Sequence, residues 1–220
     1  MIDLLLDTAP RWALLHAPAL LIMVPLFLAP LLAILPSGRL SWLISIAATV
    51  FSLFCALILV GQVQASPVGV VGYDVGNWPM PIGITLRVDA LNSMILLLVA
   101  AIGVLSTIFS WPTVKAEIPE RKHPLFYSAF LVCFAGLSGV AITGDAFNLF
   151  VFLEISSIST YVLVALGAGR DRGPLPAAFN NLIMGTLGAS FYIIGVGFLY
   201  SATGTLNIAQ IPQMLPSLAG

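Results

Sequence analysis

Six apolar runs, broken by short polar links, dominate the chain. They fall near residues 16–36, 40–63, 90–111, 125–143, 146–167 and 177–200. Each is long enough to cross about 30 Å of hydrocarbon at 1.5 Å per residue. The pattern predicts an all-α integral membrane protein with six spans. The first run contains Pro25 and Pro30. Prolines there kink a helix and free carbonyls, so neighbouring helices must satisfy what the prolines release. Asp3 and Asp7 precede this run, with Arg11 as the sole base. That is no basic leader, and the run reads as a retained span rather than a cleaved signal.

The longest link, 64–89, has a different rhythm. Short alternating stretches at 68–75 and 82–88 flank Asn77-Trp-Pro-Met-Pro81. Alternation on both sides of a Pro-rich turn predicts a small β-hairpin between the second and third helices. Small residues recur inside the spans: Ala135 and Gly139 in the fourth, and Gly185, Gly188, Ala189, Gly195 and Gly197 in the sixth. They are read as helix-packing positions, because close backbone approach drives association in lipid. The tail 203–220 is short and mixed, and an amphipathic turn or two is expected there.

Composition narrows the class. Charged residues make up 8% of the chain and the net charge is −1, against about 25% charged in a soluble domain. No basic stripe exists to neutralise phosphates, so nucleic acid is excluded as a partner. Cys55 and Cys133 lie inside apolar runs without metal-ligand spacing, and read as packing residues. No phosphate-binding Gly-rich loop, nucleophilic triad or zinc spacing is present.

Charge also orients the chain. With the N-terminus outside, the inner links hold Arg39, Lys115, Arg121, Lys122, Arg170 and Arg172, and the outer segments hold Arg11 and Arg87. The excess of inner cations follows the positive-inside rule and places both termini outside. Trp42, Trp78 and Trp111 fall near span ends, where indole rings favour the interface.

One acidic residue breaks the pattern. Glu154 sits within Phe147-Asn-Leu-Phe-Val-Phe-Leu-Glu154-Ile-Ser-Ser-Ile-Ser-Thr-Tyr161. A charged side chain at a helix centre costs about 2.5–3.5 kcal/mol even on lenient insertion scales. At 100° per residue, Ser157 and Tyr161 fall within about 60° of Glu154. The three form a polar stripe on an apolar helix. Desolvation penalises the charged carboxylate, and adjacent hydroxyls can relay protons through water. The stripe is therefore expected to be a proton path, in preference to a polar tie between helices.

The other polar positions have plainer readings. Asp145 reads as the N-cap of the fifth helix. Asn180 and Asn181 open the sixth span, facing either a wet cavity or the headgroup zone. His123, before Pro124, reads as a solvated histidine rather than a ligand. Residues 115–122 read as a solvated cytoplasmic loop, with partner docking as the weaker alternative.

The stretch Thr143-Gly-Asp-Ala-Phe-Asn-Leu-Phe-Val-Phe-Leu-Glu154-Ile-Ser-Ser-Ile-Ser-Thr-Tyr161 closely resembles the fifth-helix signature of the D-type membrane subunit of Mrp-type multisubunit Na⁺/H⁺ antiporters. Such subunits are in turn similar to the antiporter-like subunits of NADH:quinone oxidoreductase. Gly76-Asn-Trp-Pro-Met-Pro-Ile-Gly-Ile-Thr-Leu-Arg-Val-Asp-Ala90 resembles the family's hairpin before helix three, and Tyr200-Ser-Ala-Thr-Gly-Thr-Leu-Asn207 its exit from helix six. The resemblance runs from about residue 70 to 210. By resemblance, Glu154 matches the family's proton-path glutamate, which works with a lysine on a broken seventh helix. That lysine would lie beyond Gly220. The family often has a lysine in an Ala-Ala-Phe-Lys context early in helix six, where this chain reads Ala177-Ala-Phe-Asn180.

These readings combine into one expectation. Residues 1–111 would hold three accessory membrane helices with the outer hairpin 64–89. Residues 112–220 would begin the first proton-conducting repeat, helices four to six, with a short outer tail. The chain is expected to be the N-terminal portion of a proton-conducting membrane subunit of a cation/proton antiporter or a related respiratory assembly. Glu154 would carry the proton, with Ser157 and Tyr161 as relays. Its partners would be other membrane subunits, protons and a monovalent cation. It would sit in the cell (inner) membrane. No cofactor or metal is implied, and no catalytic site of its own: quinone and nicotinamide chemistry would belong to partner subunits. The rival readings are a structural scaffold and a truncated fragment.

Overall fold

The computed structural model describes residues 10–78, 83–167 and 173–215. Within them lie six long helices: α1 (Arg11–Ile34), α2 (Gly38–Ala65), α3 (Ala90–Glu117), α4 (His123–Ile142), α5 (Ala146–Leu166) and α6 (Pro174–Thr203). All six are long and apolar enough to cross a membrane. The protein is an integral membrane protein with multiple spans. A one-turn helix, α7 (Ile211–Met214), follows. Residues 79–82 of the expected hairpin, Arg170 and Arg172 of the expected inner links, the acidic residues before α1 and the last five tail residues lie outside the described set.

The starts of the helices follow local chemistry. Ser37 Oγ accepts from Leu40 N at the start of α2, and Asp89 Oδ1 accepts from Asn92 N at 2.9 Å at the start of α3. Both satisfy backbone N–H groups that have no partner inside the helix. Pro124 and Pro174 occupy first-turn positions of α4 and α6, where a missing N–H costs nothing.

Helix α1 contains Pro18 as well as Pro25 and Pro30. A proline releases the carbonyl four residues before it. Pro18 frees Leu14, and Gln62 Nε2 of α2 donates to Leu14 O at 2.7 Å. Pro25 frees Leu21, and Ser52 Oγ of α2 donates to Leu21 O at 3.3 Å. Two of the three proline-released carbonyls thus find partners on the neighbouring helix, as a water-free setting requires. The stripe Ser41, Ser45, Thr49 and Ser52 on α2 is fully buried. Each hydroxyl also bonds a carbonyl four residues back, so burial leaves none of them unpaired.

α1 packs on α2 and α4, α2 on α3, α4 on α5, and α5 on α6. The core lies among the first four helices, around Leu21, Ile58, Leu59, Leu96 and Ile142. Helix α6 is peripheral: its buried residues are Ala178 and Val196.

The expected hairpin is present. β1 (Val70–Asp74) pairs antiparallel with β2 (Thr85–Asp89), with Val70 opposite Asp89 and Asp74 opposite Thr85. Gly76 and Asn77 both take positive φ in the turn after β1. The chain after α6 adds to this layer in a way the sequence pattern does not announce. Gly144 N donates to Thr85 O, Ala146 N to Leu206 O, and Ile208 N to Gly144 O, each at 2.9 Å. The α4–α5 turn is therefore held between β2 and the segment at 206–208.

One sequence reading is corrected here. His123 is not solvated: its exposure is 3%. Its ring Nε2 lies 2.8 Å from Ile118 O, its ring meets the edge of Trp111, and its Cβ presses on Gly38. The α1–α2 turn comes down on the start of α4 and covers it. The glycine reading holds in part. Gly139 packs against Phe152 and Gly185 against Tyr161, whereas Gly188, Gly195 and Gly197 meet nothing within 4 Å in the described chain. Cys55 is buried, and Cys133 is only half-buried.

Candidate functional site

Helix α5 carries the candidate stripe. It begins where Asp145 Oδ1 accepts from Asn148 N at 2.7 Å, the cap expected from the sequence. One face of α5, made by Phe152, Ser156 and Ser159, is buried. This face meets α4 so closely that a Cβ at Gly136 would stand 2.7 Å from Ser156 N, and one at Gly139 would overlap the Phe152 ring. The hydroxyls on this side are used locally. Ser156 donates to Leu153 O, Ser159 to Ile155 O and Thr160 to Ser156 O, and Thr160 Oγ1 lies 3.4 Å from Cys133 Sγ of α4.

Glu154 points the other way. At 100° per residue it lies roughly opposite the mean direction of Phe152, Ser156 and Ser159. Its side chain is half-buried, flanked along the helix by Phe147 at 47% exposure and Ile158 at 53%. Among the described residues Glu154 makes no hydrogen bond or ion pair. Ser157 and Tyr161 are half-buried on the same side, and no hydrogen bond joins either of them to Glu154.

Tyr161 shows what covers this side. Its hydroxyl rests on Gly185 of α6, where an added Cβ would overlap Oη. At the other end of the contact Tyr192 Oη of α6 donates to Ala146 O at 3.0 Å. Helix α6 therefore lies on the Glu154 side of α5, opposite α4. Asn180 and Asn181, at the start of α6, are exposed. The sequence singled out Gly139 and Gly185 but missed Gly136, which packs against the α5 backbone at Ser156. Its signal was a second small residue one position after Ala135.

A carboxyl without an internal partner, on a membrane helix, can exchange a proton with water or with a neighbouring group. The arrangement offers no nucleophile–base pair, and no group of three His, Cys, Asp or Glu side chains among the described residues could hold a metal ion. A cavity of about 1020 Å³ lies under the hairpin between Arg87, Asp89, Thr143 and Gln213. Its lining does not include Glu154, Ser157 or Tyr161.

Comparison with known proteins agrees with this architecture. Residues 143–219 match the NADH:quinone oxidoreductase/Mrp antiporter transmembrane family. The chain is 39% identical over 210 residues to the N-type subunit of NADH-quinone oxidoreductase from Desulforudis audaxviator, covering 92% of this chain and 40% of that protein. It is 34% identical over 143 residues to the D-type subunit of the Na⁺/H⁺ antiporter from Alkalihalophilus pseudofirmus, covering 65% of this chain and 28% of that protein. The structure of the Mrp complex from Dietzia sp. superposes with a TM-score of 0.78 at 28% identity, over 88% of this chain and 36% of the matched chain. The chain thus spans two fifths or less of the length of these relatives. With the matched domain falling on α5 and α6, and 88% of the chain superposing on a solved Mrp complex, the chain carries in residues 143–219 the membrane domain of the NADH:quinone oxidoreductase/Mrp antiporter family.

Proposed function

We propose that the chain is the N-terminal portion of a proton-conducting subunit in a multisubunit cation/proton antiporter or a related respiratory membrane complex. The observation that carries this reading is Glu154: an acid in mid-span, on the side of α5 away from α4, without a hydrogen bond or ion pair among the described residues. A carboxyl with no structural bond is poorly explained as a tie between helices, and such residues mark ion or proton pathways. Glu154 binds and releases the proton. Ser157 and Tyr161 line the same side and relay it through water.

The division of the chain follows. Residues 1–111 form the accessory helices with the outer hairpin, and residues 112–220 begin the first conducting repeat. The hairpin, the turn at 143–146 and the segment 206–208 form an outer lid, and the links at 35–37 and 118–122 face the cytoplasm. The excess of cations at the latter end supports this orientation. Sites of such transporters lie at repeat interfaces, so the path is completed by further helices and other membrane subunits. The exchanged partner is a monovalent cation, in line with the name of the Na⁺/H⁺ antiporter relative.

The test is Glu154→Gln in the assembled complex, read as assembly on a native gel and as coupled transport in the same preparation. Normal assembly with lost transport supports the conducting role. Loss of the complex itself would instead make Glu154 a scaffold residue.

A further inference from the structure

The end of the bundle away from the hairpin holds a second site, unrelated to Glu154. Three elements meet there: the α1–α2 turn, the end of α3, and the 3₁₀ turn Glu120–Lys122 that leads into α4. They enclose a cavity of about 540 Å³. Arg39, Lys115 and Arg121 line it, each from a different element, and among the described residues Glu120 is the single carboxylate in the lining. None of the three cations makes an ion pair among the described residues.

The cavity is built on a fixed base. The rings of Trp42 and Trp111 stack at 5.3 Å, and Trp42 Nε1 donates to Thr107 O at 2.8 Å. Trp111 meets the ring of His123 at 6.0 Å, and His123 is held by Ile118 O. Indole rings with an anchored N–H mark the depth of the membrane interface. The site therefore presents surplus positive charge at headgroup level, with Ser37 in its lining and the apolar Ile108 and Phe109 exposed on α3.

We propose that this cavity binds the phosphodiester headgroup of an anionic phospholipid, with Arg39, Lys115 and Arg121 on the phosphate and the tails along α3 and α4. Topology explains why cations lie at this end. It does not explain why three of them, from three separate elements, converge on one cavity without an ion pair among the described residues, whereas the neighbouring Lys122 does not line it. Basic pockets between membrane helices take lipid headgroups of this kind, each surface Lys or Arg contributing roughly fivefold in affinity.

The test uses the full chain purified in a neutral detergent and reads bound lipid by native mass spectrometry. Phosphatidylglycerol is expected to be retained and phosphatidylcholine lost. Arg121→Gln and Arg39→Gln should each weaken retention roughly fivefold, and the triple Gln variant with Lys115 on the order of a hundredfold. Lys122→Gln, adjacent but outside the lining, should change it less than about twofold on the same scale. All these side chains are exposed, so helix content by circular dichroism should not change. Equal retention of the two lipids would overturn the proposal. So would equal losses from Lys122→Gln and Arg121→Gln, which would mean a diffuse surface charge. Displacement of the lipid by millimolar glycerol phosphate would assign the site to a soluble phosphate and also overturn it.

Discussion

Gln62 of α2 donates its Nε2 hydrogen to Leu14 O of α1 at 2.7 Å, and Leu14 is the residue whose carbonyl Pro18 leaves without a helical partner. The pair shows how a proline-containing span is kept in lipid. Gln62→Leu should strip the carbonyl of its partner, but it also removes the buried Gln62 Oε1, which has no hydrogen-bond partner among the described residues, so a net cost of about 1 kcal/mol is expected. Pro18→Ala restores the N–H within α1, so in that background Gln62→Leu should be nearly silent. Unfolding of the four proteins in mixed micelles gives the coupling energy, expected at about 1 kcal/mol.

The contact between Tyr161 and Gly185 sets a second prediction. Gly185→Ala places a methyl where the hydroxyl stands, so α6 must shift or Tyr161 must turn away. A loss of about 1–3 kcal/mol is expected, as for other overpacked contacts. Gly188→Ala, with open space around it, should stay within about 0.5 kcal/mol. Thermal unfolding in detergent compares the two directly.

Gly136 faces backbone rather than a movable ring. Gly136→Ala would set a Cβ 2.7 Å from Ser156 N, and no rotamer change relieves that. At Gly139 the obstacle is the Phe152 side chain, whose Cγ as well as ring edge stands in the way, so relief needs a turn about χ1, a movement open to a side chain but not to the backbone at Ser156. Gly136→Ala should therefore be the more damaging of the two, and the difference should appear as a lower Tm and as faster proteolysis in the α4–α5 turn.

Much of this was legible from local pattern. Six spans, the hairpin and the Asp145 cap follow from hydrophobic run length, alternation and helix-start chemistry, each carried by neighbouring residues. What escaped was non-local. His123 looked solvated because its sequence neighbours are charged, but Gly38, 85 residues earlier, and Trp111 close over it. The strip that clamps the α4–α5 turn joins Gly144 to Ile208, 64 positions away, and neither segment alternates enough to announce a strand. In the stripe, the shared side of Glu154, Ser157 and Tyr161 came from helical geometry. That Tyr161 ends on Gly185 depended on which helix packs there.

The relay proposed for Tyr161 separates from its packing role. Tyr161→Phe keeps the ring and removes the hydroxyl, which makes no hydrogen bond among the described residues. Stability should change by less than about 0.5 kcal/mol, while coupled flux should fall about tenfold, the effect of roughly 1.4 kcal/mol on the rate-limiting barrier. Unchanged flux would remove Tyr161 from the path and leave Glu154 untouched.

The central claim is that Glu154 carries the transported proton. Its most direct test is the assembled complex in sealed vesicles with a pH dye in the lumen and an imposed cation gradient. Glu154→Gln should reduce cation-driven proton movement to the leak of empty vesicles, and Glu154→Asp, which keeps a carboxyl, should restore part of it. Wild-type proton movement by a fully assembled Glu154→Gln complex would contradict the account.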